Sequence, residues 1–177
     1  NFSKAIQLNA AYVDAYIDKG FAYSEMRRTD AAKADFTKAL ELDPQNETVI
    51  KELTTIYFNY RQYQQALDMA QKCKTCIDKD RIIALCYFNM EDFGKAEKLL
   101  LALVNKNPED AELTYTLASN YLAMGFEPKA ITWYEKAVLV DASKSKWFFE
   151  LGLLYSNTNN YKKAVIAYNK AAELGFI

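Results

Sequence analysis

The sequence predicts an all-α solenoid of antiparallel helical hairpins, with about eleven helices along its 177 residues. The first observation is a regular series of five tyrosines: Tyr23, Tyr57, Tyr87, Tyr121 and Tyr155, spaced by 34, 30, 34 and 34 residues. The second is that a small residue lies three positions before each tyrosine and an alanine nine positions after it. The small residues are Gly20, Thr54, Ala84, Ala118 and Gly152, and the alanines are Ala32, Ala66, Ala96, Ala130 and Ala164. Self-similarity at a fixed period of this length is typical of stacked-repeat proteins.

A single repeat, beginning at Ala111, shows why each unit is predicted to contain two helices. Apolar or small residues recur there at spacings of three and four, as on one face of a helix: Leu113, Leu117, Ala118, Tyr121 and Leu122. Gly125 interrupts this pattern, and Pro128 falls in the first turn of the next segment, where its missing N–H would be unpaired anyway. The second helical pattern comprises Ala130, Ile131, Tyr134, Ala137 and Val138. Each repeat is therefore predicted to be an antiparallel helical hairpin.

The small residues have a packing reason, since closely crossing helices need small side chains at the crossing. We therefore expect Gly20 to face Ala32, and Tyr23 to pack beside Phe36. The corresponding aromatic pairs in later repeats are Tyr121 with Tyr134 and Tyr155 with Tyr168.

The same register predicts one array over residues 1–177 without an internal domain boundary. Residues 1–10 are predicted to be the second helix of a truncated repeat, because Phe2 and Ala5 align with Phe36 and Ala39. We therefore expect the chain to be part of a longer array. The predicted full repeats are 13–46, 47–76, 77–110, 111–144 and 145–177.

These motifs resemble those of the tetratricopeptide repeat family. The 34-residue period, the small-x-x-Tyr motif, the Ala-x-x-x-Phe/Tyr-x-x-Ala motif and a closing proline all match. The best copies run from Tyr16 to Pro44, from Asp80 to Pro108 and from Thr114 to Ala142. The first large position of the motif is filled poorly by Asp80 and Thr114. The resemblance implies a right-handed superhelix whose first helices line a concave side.

Projected onto this chain, that concave side predicts a peptide-binding groove. Its predicted residues are Ile17, Phe21, Lys51, Thr55, Phe58, Arg81, Leu85, Phe88, Tyr115, Ser119, Leu122, Phe149 and Leu153, with Ser24 and Ser156 completing the rows. An apolar strip rimmed by polar residues marks an interaction surface. The alternative is that these side chains cover one another, or that another part of the parent chain covers them.

The groove residues also bear on the kind of peptide expected. Some family members grip a C-terminal carboxylate with Lys, Asn and Arg, and Lys51 and Arg81 occupy plausible positions. Asparagine is absent from the second row, so we expect an extended or helical segment with apolar anchors and an acidic residue near Lys51 and Arg81. Asn59, Asn89 and Asn157 recur beyond the rows. They are interpreted as helix-end residues, which tolerate the left-handed conformation, in preference to a peptide-binding ladder.

The composition excludes most catalytic and metal chemistry. The chain has no histidine, which removes the commonest general base and the commonest metal ligand. No glycine-rich phosphate loop is present, so we expect no enzyme activity, no catalytic residue, no metal and no cofactor. A net charge of −1 gives no reason to expect nucleic acid or a membrane surface as partner. The compartment stays open, with the cytoplasm as the default expectation and any targeting segment outside these residues.

Three cysteines need a separate interpretation. Cys73 and Cys76 form a CxxC motif without the βαβ context of a redox site, and three cysteines without histidine cannot complete a zinc site unless a carboxylate helps. Cys73 occupies a slot that is alanine elsewhere, so structural cysteines are favoured. A disulfide between Cys73 and Cys76, or between Cys76 and Cys86, is left open. The spacing of 30 residues between Tyr57 and Tyr87 is shorter than the other spacings, and the missing residues fall between Cys73 and Asp80. We interpret this as a neutral deletion in a loop, in preference to a change in groove curvature.

Together these features predict a protein–protein interaction scaffold that binds a protein or peptide segment in its concave groove. The alternative is a structural module that self-associates through exposed end hairpins.

Overall fold

The computed structural model describes the backbone of residues 2–176 and the side chains of residues 12–176. Over that range every regular element is a helix, as the sequence predicts. The ten helices are α1 (Phe2–Glu25), α2 (Thr29–Leu42), α3 (Glu47–Asn59), α4 (Tyr63–Lys72), α5 (Lys79–Asn89), α6 (Phe93–Lys106), α7 (Ala111–Ala123), α8 (Glu127–Val140), α9 (Ser145–Asn157) and α10 (Tyr161–Glu173). Within the described residues, no helix combines the length and apolarity that crossing a membrane requires.

The count is ten, and not about eleven, because residues 1–10 do not form a separate helix. The single helix α1 runs from Phe2 to Glu25 without a break. The sequence between Asn9 and Val13 contains neither proline nor glycine, so nothing there stops a helix. The side chains of Phe2 and Ala5, on which the predicted register of this segment rests, lie outside the described side chains.

In four of the hairpins, the turn is closed by a Schellman motif that begins at the tyrosine of the repeat series. The Tyr23 carbonyl accepts the Arg28 N–H at 2.8 Å, and Tyr57, Tyr121 and Tyr155 repeat this bond with the residue five positions on. A motif of this kind needs a left-handed residue just past the helix. That residue lies four positions after each tyrosine: Arg27, Arg61, Glu91, Gly125 and Asn159.

This geometry corrects the interpretation of the recurring asparagines. Asn59, Asn89 and Asn157 are each the last residue of a helix, as expected. The left-handed residue lies two positions later, so these three asparagines do not adopt that conformation. Asn89 instead donates its side-chain N–H to the Leu85 carbonyl at 2.7 Å.

The first compact unit, Asn1–Met90, contains α1 to α5. Successive helices pack on one another, and a core lies between α1, α2 and α3. This core consists of Val13, Ala32, Phe36, Ala39, Val49 and Leu53. Gly20 lies directly under the ring of Phe36, so close that an added Cβ would come within 2.5 Å of it. The small residue is therefore required by an aromatic ring.

The second unit, Glu91–Ile177, contains α6 to α10. Its fully buried large side chains include Leu100, Leu113, Leu117 and Tyr134. Gly152 meets the ring of Tyr168 as Gly20 meets that of Phe36. Thr114, predicted to fill its slot poorly, is buried with its hydroxyl donating to the Asp110 carbonyl at 2.9 Å. The local hydrogen bond satisfies the polar atom and makes threonine acceptable there.

The irregular 30-residue step arises from a shortened helix. α4 has 10 residues where α2 has 14, so its last turn is missing. In register with the final helical turn of α2, the residues from Cys73 to Cys76 form a non-helical loop closed by a disulfide between these two cysteines. Cys86 is a free, buried thiol, and burial raises its pKa to about 11.

Candidate peptide-binding surfaces

Each of the predicted groove residues keeps part of its surface accessible, and none of them is buried. Lys51, Thr55, Leu122 and Leu153 are exposed, and the other nine are half-buried.

In the first unit, a cleft of about 440 Å³ lies between α3, α5 and the connection 73–78. We call it the α3–α5 cleft. Thr48, Lys51 and Thr55 line it from α3, and Ile82 lines it from α5. Among residues 12–176, the Lys51 ammonium makes no ion pair. The cleft thus combines an available cation, the Thr48 hydroxyl and an apolar wall, with the carboxylates of Glu47 and Asp78 on the side of the connection.

The connection that forms one wall of this cleft is held by a carboxylate and an ammonium group. Glu47 accepts the backbone N–H groups of Lys74 at 3.0 Å and Thr75 at 3.1 Å, and also the Thr75 hydroxyl. The Thr75 hydroxyl and these N–H groups lower the pKa of Glu47. Lys79 donates to the Cys73 carbonyl at 2.7 Å, which satisfies an acceptor at the end of α4.

The aromatic groove residues of the first unit lean on aromatic side chains of the same chain. Phe21 meets Phe36 edge-on, with ring centroids 5.3 Å apart. Phe58 meets Tyr63 in the same way at 5.6 Å. Because these rings already have packing partners, replacing them would test stability together with binding.

In the second unit, Tyr115 of α7 is fixed against α9. Its ring stacks on Trp147 with centroids 4.7 Å apart, and its hydroxyl donates to the Glu150 carboxylate at 2.8 Å. Burial, and then the Glu150 carboxylate, raise the pKa of Tyr115. Tyr115 therefore stays a neutral hydrogen-bond donor at physiological pH. Its ring also meets Tyr134, although the register predicted Tyr121 as the partner of Tyr134.

Two leucines, one on α7 and one on α9, provide exposed apolar surface in the second unit. Leu122 is 37% exposed and Leu153 is 43% exposed. Beside them, Ser119 shares a 2.9 Å hydrogen bond with the Tyr134 hydroxyl. Phe149 stacks on Phe176 with ring centroids 4.4 Å apart. We call the surface formed by Tyr115, Ser119, Leu122, Phe149 and Leu153 the α7–α9 face.

A separate cleft of about 770 Å³ lies between α8 and α10, with α9 residues such as Phe148 and Leu151 among its lining residues. Leu139 is 82% exposed and Ile166 is 69% exposed in this α8–α10 cleft. Both residues are unusual in comparison with the aligned residues of the other repeats. At the Ile166 position the other repeats carry Ala34, Asp68, Lys98 and Thr132, and at the Leu139 position they carry Glu41, Thr75, Asn105 and Glu173.

Several residues that shape these surfaces were not predicted. Trp147 lies one position before Phe148, which aligns with Thr114 at the first large position of the repeat motif, and it is Trp147 that is buried. Glu47 and Glu150 looked like ordinary charged residues of outer faces, because nothing in their spacing indicates the groups that they contact. The part of the chain that the structure describes contains no cluster of candidate metal ligands.

Comparison with known proteins identifies the repeats. A family model described as a tetratricopeptide repeat matches residues 13–46, and a second one matches residues 148–174. Residues 13–46 and 148–174 are therefore tetratricopeptide repeats. A relative from Homo sapiens, Protein O-mannosyl-transferase TMTC3, is 26% identical over 172 residues, which are 93% of this chain. The chain spans only 19% of that relative's length.

Solved structures show the same fold. A crystal structure of MamA has a TM-score of 0.81 at 24% identity and covers 93% of this chain and 92% of its own. The crystal structure of YrrB, described as a TPR protein with an unusual peptide-binding site, has a TM-score of 0.75 at 23% identity. It covers 99% of this chain and 92% of its own. These likenesses confirm the predicted fold class, an α-solenoid of helical hairpins.

Proposed function

We propose that this tetratricopeptide repeat protein is a scaffold that binds peptide segments on the accessible faces of the first helices of its hairpins. The observation that carries the proposal is the exposure of Leu122 and Leu153 on the α7–α9 face, whose Tyr115 is fixed by Trp147 and Glu150. A face that offers a fixed aromatic ring and accessible apolar side chains suits the anchor residues of a peptide. The peptide-binding site described for YrrB supports this type of partner.

In the first unit, the α3–α5 cleft favours a segment with an acidic side chain. The Lys51 ammonium and the Thr48 hydroxyl can bind a carboxylate, while Ile82 offers apolar contact. Arg81, the other expected cation, is half-buried and already has an interaction within the chain. Lys51 is therefore the better residue with which to test the charge.

The experiment selects binders from a library of 12-residue peptides and measures their affinity for variants. We expect Lys51→Glu to weaken acidic peptides by about tenfold or more, and Leu153→Ser to weaken peptides with apolar anchors by a similar factor. Lys98→Glu and Val165→Ser are the matched controls, because both residues lie on second helices and line neither of these surfaces nor the α8–α10 cleft. A library that yields no peptide sensitive to Lys51, Leu122 or Leu153 would reject the proposal.

A second candidate function, self-association through the α9–α10 hairpin, is favoured by the α8–α10 cleft. Its apolar rim residues Leu139 and Ile166 stand where other repeats carry mostly polar or small residues, which suits contact with a second copy. Sedimentation velocity over a concentration series tests this. Association that Ile166→Lys abolishes and Leu153→Ser leaves intact would support it, whereas a monomer at every concentration would exclude it.

A further inference from the structure

The disulfide between Cys73 and Cys76 closes the connection that forms a wall of the α3–α5 cleft. Both cysteines line the cleft, but Cys73 is 1% exposed and caps α4, whereas Cys76 is half-buried. The next residue, Ile77, is 99% exposed, so its side chain contributes almost no packing to the connection. The covalent bond is thus one of few restraints on this segment.

The other restraints are hydrogen bonds, of which those to Glu47 are solvent-exposed and that from Lys79 is part-buried. Glu47 holds Lys74 and Thr75 through hydrogen bonds at the surface, and Lys79 holds the Cys73 carbonyl. Exposed hydrogen bonds of this kind exchange readily with water and contribute little net stability. Segments with few apolar contacts and exposed hydrogen bonds open locally at low free-energy cost.

We propose that this disulfide is a redox-sensitive clasp, which keeps residues 73–78 ordered against the α3–α5 cleft until a dithiol reductant opens it. Opening releases the wall that carries Thr75, Cys76 and Ile77, so the cleft loses its shape beside Lys51. The consequence for peptide affinity rests on the function proposed above. The consequence for the order of the connection does not.

The exchange follows from the accessibility of the two sulfurs. A thiolate of the reductant attacks Sγ of the more accessible Cys76 and forms a mixed disulfide, while Cys73 leaves as a thiolate and takes a proton from water. The second thiol of the reductant, as its thiolate, then attacks the reductant sulfur of the mixed disulfide. Cys76 leaves, and the reductant ends as a cyclic disulfide. Two electrons pass from the reductant to the protein.

The remaining cysteine does not interfere with this exchange. Cys86 is fully buried in α5, and burial holds its thiol in the neutral, unreactive form. Disulfide reshuffling to Cys86 would require unfolding of the core. The clasp therefore has two states, the Cys73–Cys76 disulfide and the dithiol.

Limited trypsin digestion of the full chain, with and without dithiothreitol, tests the clasp. We expect cleavage after Lys74 to accelerate by about tenfold or more on reduction, because proteolysis follows the population of locally opened states. Cleavage after Lys106, at the end of α6, is the internal control and is expected not to change. Alkylation with iodoacetamide should label Cys73 and Cys76 only after reduction.

A double variant removes the dependence on reductant. Cys73→Ala with Cys76→Ser places alanine in a slot that is alanine at Ala39, Ala137 and Ala171, so the core should accept it. Its Lys74 site should be cleaved rapidly whether or not dithiothreitol is present. Unchanged Lys74 cleavage on reduction, or a parallel rise at Lys106 that indicates global unfolding, would overturn the proposal. The peptide affinity that depends on Lys51 is measured separately, so a failure of the proposed binding function can be distinguished from a failure of the clasp.

Discussion

Gly20 allows the packing of the first hairpin to be tested with a single methyl group. A Cβ at this position would lie 2.5 Å from the ring of Phe36, and that ring is 0% exposed and cannot move into solvent. Overpacking of a tight core costs about 1–3 kcal/mol. Alanine gains about 0.5–1 kcal/mol over glycine within a helix. The net expectation for Gly20→Ala is a loss of about 1.3 kcal/mol, the difference between the midpoints of these two ranges.

Gly94→Ala is the matched control, since Gly94 lies in α6 and an added Cβ would meet no atom within 4 Å. It should stabilise the protein by about 0.5–1 kcal/mol through helix propensity alone. Urea unfolding followed by circular dichroism at 222 nm measures both free-energy changes. If Gly20→Ala is neutral, or stabilises as Gly94→Ala does, close contact with Phe36 is not the reason for glycine at this position.

Two further predictions concern the turns and the buried tyrosines. Arg61 has a left-handed φ of 57°, so Arg61→Gly should stabilise the protein by about 1 kcal/mol in urea unfolding. Gly125 has a φ of 78°, so Gly125→Ala should destabilise the protein by a similar amount. Changes of the same sign and size in both variants would refute the argument. Burial raises the pKa of Tyr134 above the ordinary phenol value, so its neutral form is favoured in the folded state. The contribution of Tyr134 to stability is therefore fully present below about pH 10, where tyrosine titrates in the unfolded chain. Above that pH, this residue should lower the free energy of unfolding by up to about 1.4 kcal/mol per pH unit. Urea midpoints at increasing pH check the slope, which Tyr134→Phe should reduce, and an unchanged slope in that variant would contradict it.

The repeat register predicted the hairpins because every repeat buries the same positions. Ala32, Ala66, Ala96, Ala130 and Ala164 are all buried, as expected of residues at a close helix crossing. The Schellman turns were harder to predict, since the left-handed position is glycine only once. Arginine and glutamate carry no such signal and asparagine a weaker one, and the hydrogen bonds of the turn outweigh the local strain.

The accessible faces were predicted from the same register, but their contacts were not. A register states that Tyr115 lies on the exposed side of α7. It does not state that the ring stacks on Trp147 or that the hydroxyl reaches Glu150, because these contacts depend on side-chain rotamers and on how α7 and α9 cross. The disulfide was likewise one of two open pairings, which only the geometry of the shortened α4 resolves.

The two clefts lie where single repeats depart from the common pattern. The α3–α5 cleft is lined by the loop that replaces the last turn of α4, and the α8–α10 cleft is rimmed by Leu139 and Ile166, which replace mostly polar or small residues. Positions shared by all repeats maintain hairpin packing, so their substitution acts first on stability. Positions that differ in one repeat are free of that constraint. Variants at Lys51, Cys76, Leu139 and Ile166 should therefore change binding, redox response or association with little effect on the free energy of unfolding, which is the opposite of the pattern expected for Gly20.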